Sequence, residues 1–336
     1  MDVNVPLGGQ VALFAEAAID GQPARAWAVI VRLLEQGCPP ARITSDVLAP
    51  AQRRVGELWE AELISVAEEH AVAAVTEYCL DRLWQHVAET PAVGRVLVTG
   101  VDGEWHTLTS RIVAAAWRAS GLEVVALTPS LPAADLEAFA RRDEASVAGV
   151  SCSVPAHLLG AWLTINALRT AGLQVVVGGH AFDAYPHLGT RLGADEYVGD
   201  PFEAVAVVRD RARSPKRARP EHPMPSWTDV QMVLDDYDSI LVGAMALLRS
   251  RASAIEGSQV MREELELLLQ AGLSGVLCEE PNLVFDHLEW LRYTLNARGQ
   301  DPAASWDLLD SLRRVMPKSA SRVNEVFALS MHASAR

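Results

Sequence analysis

A carboxylate and an imidazole, Glu104 and His106, lie just after the apolar run RVLVTG, where many α/β proteins carry a glycine-rich phosphate loop. Ser151 follows a second apolar run, and Gly178 and Gly179 close a third. In an open parallel sheet, ligands bind at the carboxyl ends of the strands where the strand order reverses. A glycine pair also lets a ligand approach the backbone closely. We therefore expect these three loops to form one elongated binding groove.

Five short runs rich in β-branched residues, spaced about 25 residues apart, supply the strands that position this groove. They are RVLVTG, EVVALTP, SVAGVSCS, QVVVGG and EYVGD, with helical segments between them. This alternation is typical of a sheet that is buried on both faces. It predicts a five-stranded, doubly wound parallel sheet of flavodoxin-like order over residues 92–212, with His106 after the first strand and Ser151 after the third.

Helical patterns flank the sheet on both sides. Residues 1–91 contain four predicted helices, whose apolar residues recur at intervals of three and four, and residues 226–336 are predicted to be entirely helical, beginning with an N-cap at Ser226. The Arg- and Pro-rich stretch RDRARSPKRARPEHPMP at 209–225 lacks periodicity, and we interpret it as an exposed linker, with its core at 213–225. The fold class is therefore multidomain, α and α/β.

Composition narrows the possible functions. Half of the residues are apolar and the formal net charge is −14, which argues against a broad nucleic-acid-binding face. No signal peptide and no membrane span of 18 apolar residues is apparent, so we expect a cytoplasmic protein without membrane contact. The four cysteines lack C-x-x-C spacing and are expected to be buried thiols.

The groove residues resemble the signature of the cobalamin-binding domain, which runs from an acidic residue and His through S-x-L to Gly-Gly. That resemblance implies that His106 is the lower axial ligand of cobalt, replacing dimethylbenzimidazole, and that the benzimidazole tail lies beside Ser151, Ser153 and the glycine pair. A carboxylate on the second ring nitrogen would keep the imidazole neutral and oriented, and Glu104 is placed for this role. Thr109 stands where the family has glycine.

The last two N-terminal helices carry a second motif, in which Trp59 is followed after nine residues by Glu69 and His70. The sequence Ser65-Val66-Ala67-Glu68 is a capping box, so a turn should separate Trp59 from the other two. An indole face together with an acidic acceptor suits a nucleoside.

This motif resembles the lid of CarH-like cobalamin photoreceptors, which covers the 5′-deoxyadenosyl group of adenosylcobalamin. The resemblance implies a helical cap over the upper face of cobalamin, with Val66 also at the site. Those photoreceptors often carry His directly after the Trp, where this chain has Glu60. They also usually carry an N-terminal DNA-binding domain, whereas only a few residues precede this cap, so we expect no direct DNA binding.

By its order of cap, cobalamin sheet, linker and terminal helices, the chain resembles the photocobilins, which join a cobalamin domain to a globin-like domain that binds biliverdin. A bilin needs an apolar slot, a carboxylate or His near its pyrrole N–H groups, and cations for its propionates. The candidates are Tyr237, Arg249, Arg251, Asp286, His287 and Arg292, with Cys278 as a less favoured tether. The expected output is self-association or control of a protein partner.

Two other functions stay open. The chain could be a corrinoid carrier that passes methyl groups between methyltransferases, with the terminal helices docking a partner. It could also be a binding-only cobalamin or nucleotide module, which is less favoured because no G-x-G-x-x-G follows the first strand.

Overall fold

The computed structural model describes residues 7–85, 93–214, 224–250 and 258–333. The N-terminal part forms the cap, in which the four predicted helical segments are confirmed. A π-helical stretch, Thr44–Leu48, joins two α-helices within the third segment. The cap helices are α1 Gly8–Ile19, α2 Pro23–Glu35, α3 Pro40–Ile43, α4 Ala49–Glu60 and α5 Val66–Trp84.

The predicted break between α4 and α5 is confirmed. Ser65 accepts a hydrogen bond from the backbone N–H of Glu68, and the Glu68 carboxylate accepts one from the backbone N–H of Ser65. This reciprocal capping starts α5 at Val66 and turns the chain back after Trp59.

A five-stranded parallel sheet follows, with the predicted flavodoxin-like order β2-β1-β3-β4-β5. The strands are β1 Arg95–Gly100, β2 Glu123–Leu127, β3 Val147–Ser151, β4 Gln174–Gly178 and β5 Glu196–Tyr197. The helices between and after them are α6 Thr107–Ala119, α7 Ala133–Ala140, α8 Leu158–Thr170, α9 His187–Arg191 and α10 Ala204–Arg213. The strand order reverses between β1 and β3, which lie side by side.

One boundary of the predicted linker is wrong. Residues 209–213, predicted as loop, continue α10 to Arg213, and Arg211 in this helix bonds Glu196 over 2.7 Å. Pro215 lacks a backbone N–H and disfavours helical geometry in the residue before it, which accounts for the end of the helix there. Residues 215–223 of the linker lie outside the described part of the chain.

Within its described ranges, the C-terminal part is helical, as predicted. Its helices are α11 Trp227–Asp235, α12 Tyr237–Ser250, α13 Ser258–Cys278, α14 Asn282–Ala297, α15 Ala304–Val315 and α16 Ser321–Ala333. Ser226 is the N-cap residue of α11, as predicted, but its side chain makes no capping hydrogen bond and its Oγ is buried without a partner. A globin-like arrangement of these helices stays a prediction.

The C-terminal helices pack directly on the sheet layer and share an apolar core with it. Ser274 of α13 accepts a hydrogen bond from the backbone N–H of Leu159 over 3.0 Å and donates to the carbonyl of Ala156 over 2.8 Å. Trp162 of α8 and Trp227 of α11 lie with ring centroids 4.6 Å apart. Structural change in one of these parts is therefore transmitted to the other by direct packing.

The cap has its own apolar core, which extends to Leu108 and Ile112 of α6. Thr107 at the start of α6 also donates to Glu77 of α5 over 2.7 Å. The helix that follows the Glu104–His106 loop is thus the element on which the cap is seated. None of the described helices is long and apolar enough to cross a membrane.

Candidate functional site

The three groove loops lie side by side at the carboxyl edge of the sheet. In the strand register, Gly100 is opposite Ser151, and Ser151 is opposite Gly178. The loop that carries Glu104 and His106 leaves β1 at this level. The strand register therefore confirms the prediction that the three loops meet at one edge of the sheet.

Glu104 fixes the orientation of the His106 ring. The Nδ1–H of His106 donates to Glu104 Oε1, and Glu104 is only 4% exposed. The imidazole itself is exposed, with 58% of its side chain accessible. Because Nδ1 is engaged, Nε2 is the ring nitrogen that can meet a metal from the open side of the edge.

The second oxygen of Glu104 ties this loop to the one after β3. Glu104 Oε2 accepts the backbone N–H of Ser153 over 2.9 Å, and Nδ1 of His157 lies 3.7 Å from it. Burial alone would raise the pKa of Glu104, but hydrogen bonds from His106 and Ser153 and the proximity of His157 outweigh it and hold the pKa well below its usual range. The hydrogen bond to the Glu104 carboxylate raises the pKa of His106. Glu104 is thus a buried anion with both oxygens engaged.

Two glycines bring neighbouring loops close together beside this pair. A Cβ at Gly178 would lie 2.6 Å from the carbonyl oxygen of Val198, and one at Gly179 would lie 2.4 Å from that of Cys152. Gly179 also has a φ of 102°, which favours glycine. Beside them, the Oγ of Ser151 is buried and has no hydrogen-bond partner. Glycine is thus needed here for close packing of the loops, and the Ser151 hydroxyl lacks a hydrogen-bond partner that a ligand at this edge would supply.

The turn between α4 and α5 separates Trp59 from Glu69 and His70. Trp59 ends α4 half-buried, and Glu69 is close enough that its charge contributes to the raised pKa of His106. His70 donates from Nδ1 to the carbonyl of Val66 over 2.8 Å, and its Nδ1 also lies 3.2 Å from Glu69 Oε2. The Val66 side chain is exposed. Of the predicted lid residues, Glu69 is thus the one whose charge reaches His106, and His70 is tied to Glu69 and to the start of α5.

Thr109 is half-buried in the first turn of α6. Its hydroxyl and methyl groups add bulk where the resemblance expects glycine, and nothing in the structure shows what they contact.

The predicted bilin residues divide into separate locations. Asp286 accepts a hydrogen bond from Tyr185 over 2.7 Å, next to the sheet edge. Arg292 instead bonds Glu289 over 2.8 Å and lies 6.0 Å from the ring of Trp306.

The other candidates lie on α12, on α14 or outside the described residues. Tyr237 begins α12 and accepts a hydrogen bond from Gln270 over 3.4 Å, while the exposed Arg249 lies near its far end. His287 has a buried Nε2 with no partner, and burial and the charge of His157 lower its pKa to about 4. Arg251 lies outside the described residues.

The cysteines are buried thiols, as predicted. Burial raises the pKa of Cys278 to about 12, which disfavours the thiolate that a covalent bilin tether needs.

Four residues with distinctive environments were not predicted from the sequence. His157 lies on the β3 side beside Glu104, and Trp290 of α14 and Arg298, the residue just after α14, contact the cap at Trp59. Glu264 of α13 has a buried carboxylate oxygen without a partner, and burial raises its pKa to about 7. The helical spacing of His287, Trp290 and Arg298, the C-cap residue of α14, places the three on one face. That spacing was detectable in the sequence, but the cap residue that they contact was not.

Comparison with known proteins gives a consistent assignment for the first two parts of the chain. A B12 binding domain family matches residues 94–207, and a second B12 binding domain family matches residues 11–83. Both matches end before α11.

Three curated relatives are similar to this region. The pivalyl-CoA mutase small subunit of Xanthobacter autotrophicus is 39% identical over 129 residues, covering 36% of this chain and 86% of the relative. Dimethylamine corrinoid protein 1 of Methanosarcina mazei is 26% identical over 189 residues, covering 54% and 86%. The HTH-type transcriptional repressor CarH of Myxococcus xanthus is 28% identical over 165 residues, covering 48% and 55%.

A solved structure, the Methanosarcina barkeri monomethylamine corrinoid protein, shares the fold with a TM-score of 0.52 at 18% identity, covering 61% of this chain and 99% of that one. The carboxylate-bound imidazole, the unpartnered Ser151 hydroxyl and the two matching domain families all fit a corrinoid. The chain therefore belongs to the family of proteins with B12 binding domains and is a cobalamin-binding protein.

Proposed function

We propose that this chain is a light-responsive protein that binds adenosylcobalamin under its cap and a bilin in its C-terminal helices. The cobalamin part is supported by the exposed His106 ring, held by Glu104 at the sheet edge, and by the charge of Glu69 near it, which fits a lid formed by Trp59, Glu69 and His70. Adenosylcobalamin would supply a cobalt–carbon bond that visible light breaks. The roles of the protein groups follow from their positions.

His106 is proposed to hold cobalt from below through Nε2. Glu104 keeps the proton on Nδ1 and fixes the ring plane, and the Ser153 backbone N–H keeps the carboxylate in place. The displaced nucleotide tail would run along Gly178 and Gly179, with Ser151 Oγ gaining the hydrogen bond that it lacks.

The lid is proposed to select the upper ligand. The Trp59 face offers stacking area to adenine, and the Glu69 carboxylate offers an acceptor for ribose hydroxyls. A cap seated on α6, directly after the His106 loop, would link loss of the upper group to a change in cap position. Photolysis would then alter self-association or the activity of a protein partner.

The bilin part rests on His287, whose buried Nε2 lacks a partner and could accept a pyrrole N–H. Asp286 lies next to it, and Arg292, Arg249 and Tyr237 complete the proposed set. We also propose the domain boundaries 1–91, 92–212, 213–225 and 226–336.

A second candidate, a corrinoid methyl carrier, is favoured by the similarity to the dimethylamine corrinoid protein, 86% of whose length this chain covers. A carrier needs an upper face that admits small groups and opens to a methyltransferase. The terminal helices would then be a docking module.

One experiment separates the two functions. The full chain is loaded with adenosylcobalamin and biliverdin in the dark, and its spectrum and gel-filtration profile are recorded before and after illumination. A light sensor changes both. Identical profiles in light and dark, together with methyl transfer between methyltransferases, would instead favour the carrier.

A further inference from the structure

The turn that carries the lid is bonded to the C-terminal helices at two points. The Trp290 indole N–H donates to Glu60 Oε1 over 3.3 Å, and Arg298 Nε donates to Glu62 Oε1 over 2.9 Å. Glu62 has a φ of 56°, an unfavourable backbone conformation for a residue other than glycine. Since this conformation directs the turn toward α14, the contact with Arg298 helps to stabilise it.

Aromatic contacts run alongside these bonds. The Trp59 and Trp290 ring centroids lie 6.3 Å apart at an interplanar angle of 30°, and the His287 ring lies 5.7 Å beyond Trp290 at the same angle. The guanidinium of Arg298 lies 5.7 Å from the Trp59 ring. Trp59 is thus placed against the C-terminal helices, while the apolar core of the cap is built from other residues.

The same helix also reaches the sheet side of the groove. His157 lies 3.7 Å from Glu104, and its charge is close enough to His287 to contribute to the lowered pKa of that residue. Ring contacts through His287 and Trp290 therefore run from the side of α14 near His157 to Trp59 in the cap. A nucleoside held against Trp59 and above His106 would lie near this row of rings.

We propose that Trp290 is a second specificity residue for the upper ligand, so that the cap and the C-terminal helices recognise the nucleoside jointly. The two indoles, tilted by 30°, offer a larger aromatic surface than Trp59 alone, which suits a planar base. The Trp290 N–H bond to Glu60 fixes the second ring. This inference rests on the proposed function and deepens it, because α14 would sense directly whether the nucleoside is present.

The test uses the full chain in the dark and measures affinities for adenosylcobalamin and hydroxocobalamin by titration calorimetry. Trp290→Ala is expected to weaken adenosylcobalamin roughly tenfold, a loss of about 1.4 kcal/mol, and hydroxocobalamin by less than about threefold. The double variant Trp59→Ala/Trp290→Ala should lose less affinity for adenosylcobalamin than the product of the fold-losses of the two single variants, because both rings bind the same ligand.

Two further variants keep the test informative if Trp290→Ala fails to fold. Trp290→Phe keeps a ring but removes the N–H, and Glu60→Ala removes its acceptor. Each is expected to reduce the preference for adenosylcobalamin roughly threefold. Trp306→Phe, which changes an indole on α15, is the matched control and should leave the preference unchanged.

The outcomes separate this inference from the proposed function. If Trp59→Ala reduces the preference while Trp290→Ala, Trp290→Phe and Glu60→Ala do not, Trp290 is only a packing residue and the inference is wrong. If the unmodified chain binds both cobalamins equally and Trp59→Ala has no selective effect, the lid itself is wrong and the proposed function fails first.

Discussion

Glu104 Oε2 accepts the backbone N–H of Ser153 over 2.9 Å, so a carboxylate that follows β1 holds the loop that follows β3. The other oxygen of the same carboxylate accepts from His106. The His106 ring is therefore oriented by a carboxylate that is itself held between the loops after β1 and β3. The strand order reverses between these two strands. Replacing the carboxylate should therefore lower the stability of the chain and change the orientation of the His106 ring.

Glu104→Gln should weaken cobalamin binding about 10- to 100-fold. An amide has one accepting oxygen, so either His106 Nδ1–H or Ser153 N–H would face its NH₂ group. The chain should also lose roughly 1–3 kcal/mol of stability because a buried donor loses its partner. Cobalamin titration and urea unfolding measure the two effects. Normal affinity with a normal His-on spectrum would contradict the orienting role. Glu137→Gln, a half-buried carboxylate on α7 that pairs with Arg141, is the control.

Gly179→Ala should impair binding of cobalamins that carry a nucleotide tail. The new Cβ would lie 2.4 Å from the Cys152 carbonyl oxygen and would require a φ of 102°. We expect a loss of about 1–3 kcal/mol in stability from the forced backbone shift. Comparison with cobinamide, which lacks the tail, provides the control. An equal loss of affinity for both ligands would argue against a tail channel at this position.

His287 should make stability depend on pH in a defined window. Its folded pKa is about 4 and its unfolded pKa is near 6.5, so between these values the unfolded chain binds a proton that the folded chain excludes. This difference in proton binding has no effect on stability above about pH 7. As pH drops from there towards 4, the free energy of unfolding falls by at most about 3 kcal/mol.

Denaturant unfolding of the unmodified chain and of His287→Gln from pH 7.5 to pH 4 measures this contribution. The difference between the two should shift in favour of the variant as pH falls. Glu264, with a folded pKa of about 7, acts in the opposite direction in both proteins and cancels in the comparison. A difference that is constant with pH would mean that His287 is solvated.

The full chain should acquire a red absorption band with biliverdin, and His287→Gln should weaken or shift it. The full chain is used because α13 and the sheet layer share a core. Arg314→Ala, an exposed cation on α15, should leave the band unchanged. If no band forms under conditions that load cobalamin, the terminal helices are a docking or dimerisation module.

Much of the site was readable from local sequence. The strands were predictable because their β-branched runs are buried on both faces, and parallel strands bring His106, Ser151 and Gly178 to one edge. The turn after Trp59 was predictable because the capping box at Ser65 is a local signal. These features depend on residues only a few positions apart or on the regular geometry of a sheet.

The remaining features depend on packing between distant segments. The contact of Trp290 with Glu60 spans 230 residues, and no local pattern specifies it. The end of α10 was misjudged because RDRAR was grouped with the Pro-rich stretch after it, although it continues the preceding helix. Ser226 is a residue type that commonly caps helices, but its hydroxyl is buried and has no hydrogen-bond partner.

The ligand of cobalt is tested most directly by isotope labelling. The full chain is prepared with ¹⁵N-histidine, loaded with unlabelled cobalamin, and studied in the cobalt(II) form by electron paramagnetic resonance. Coordination by His106 predicts that each cobalt line is split into two by ¹⁵N, against three in unlabelled protein, and that His106→Ala abolishes the protein-derived splitting. Three-line splitting in the labelled protein would mean that dimethylbenzimidazole still holds cobalt, and would contradict the central claim.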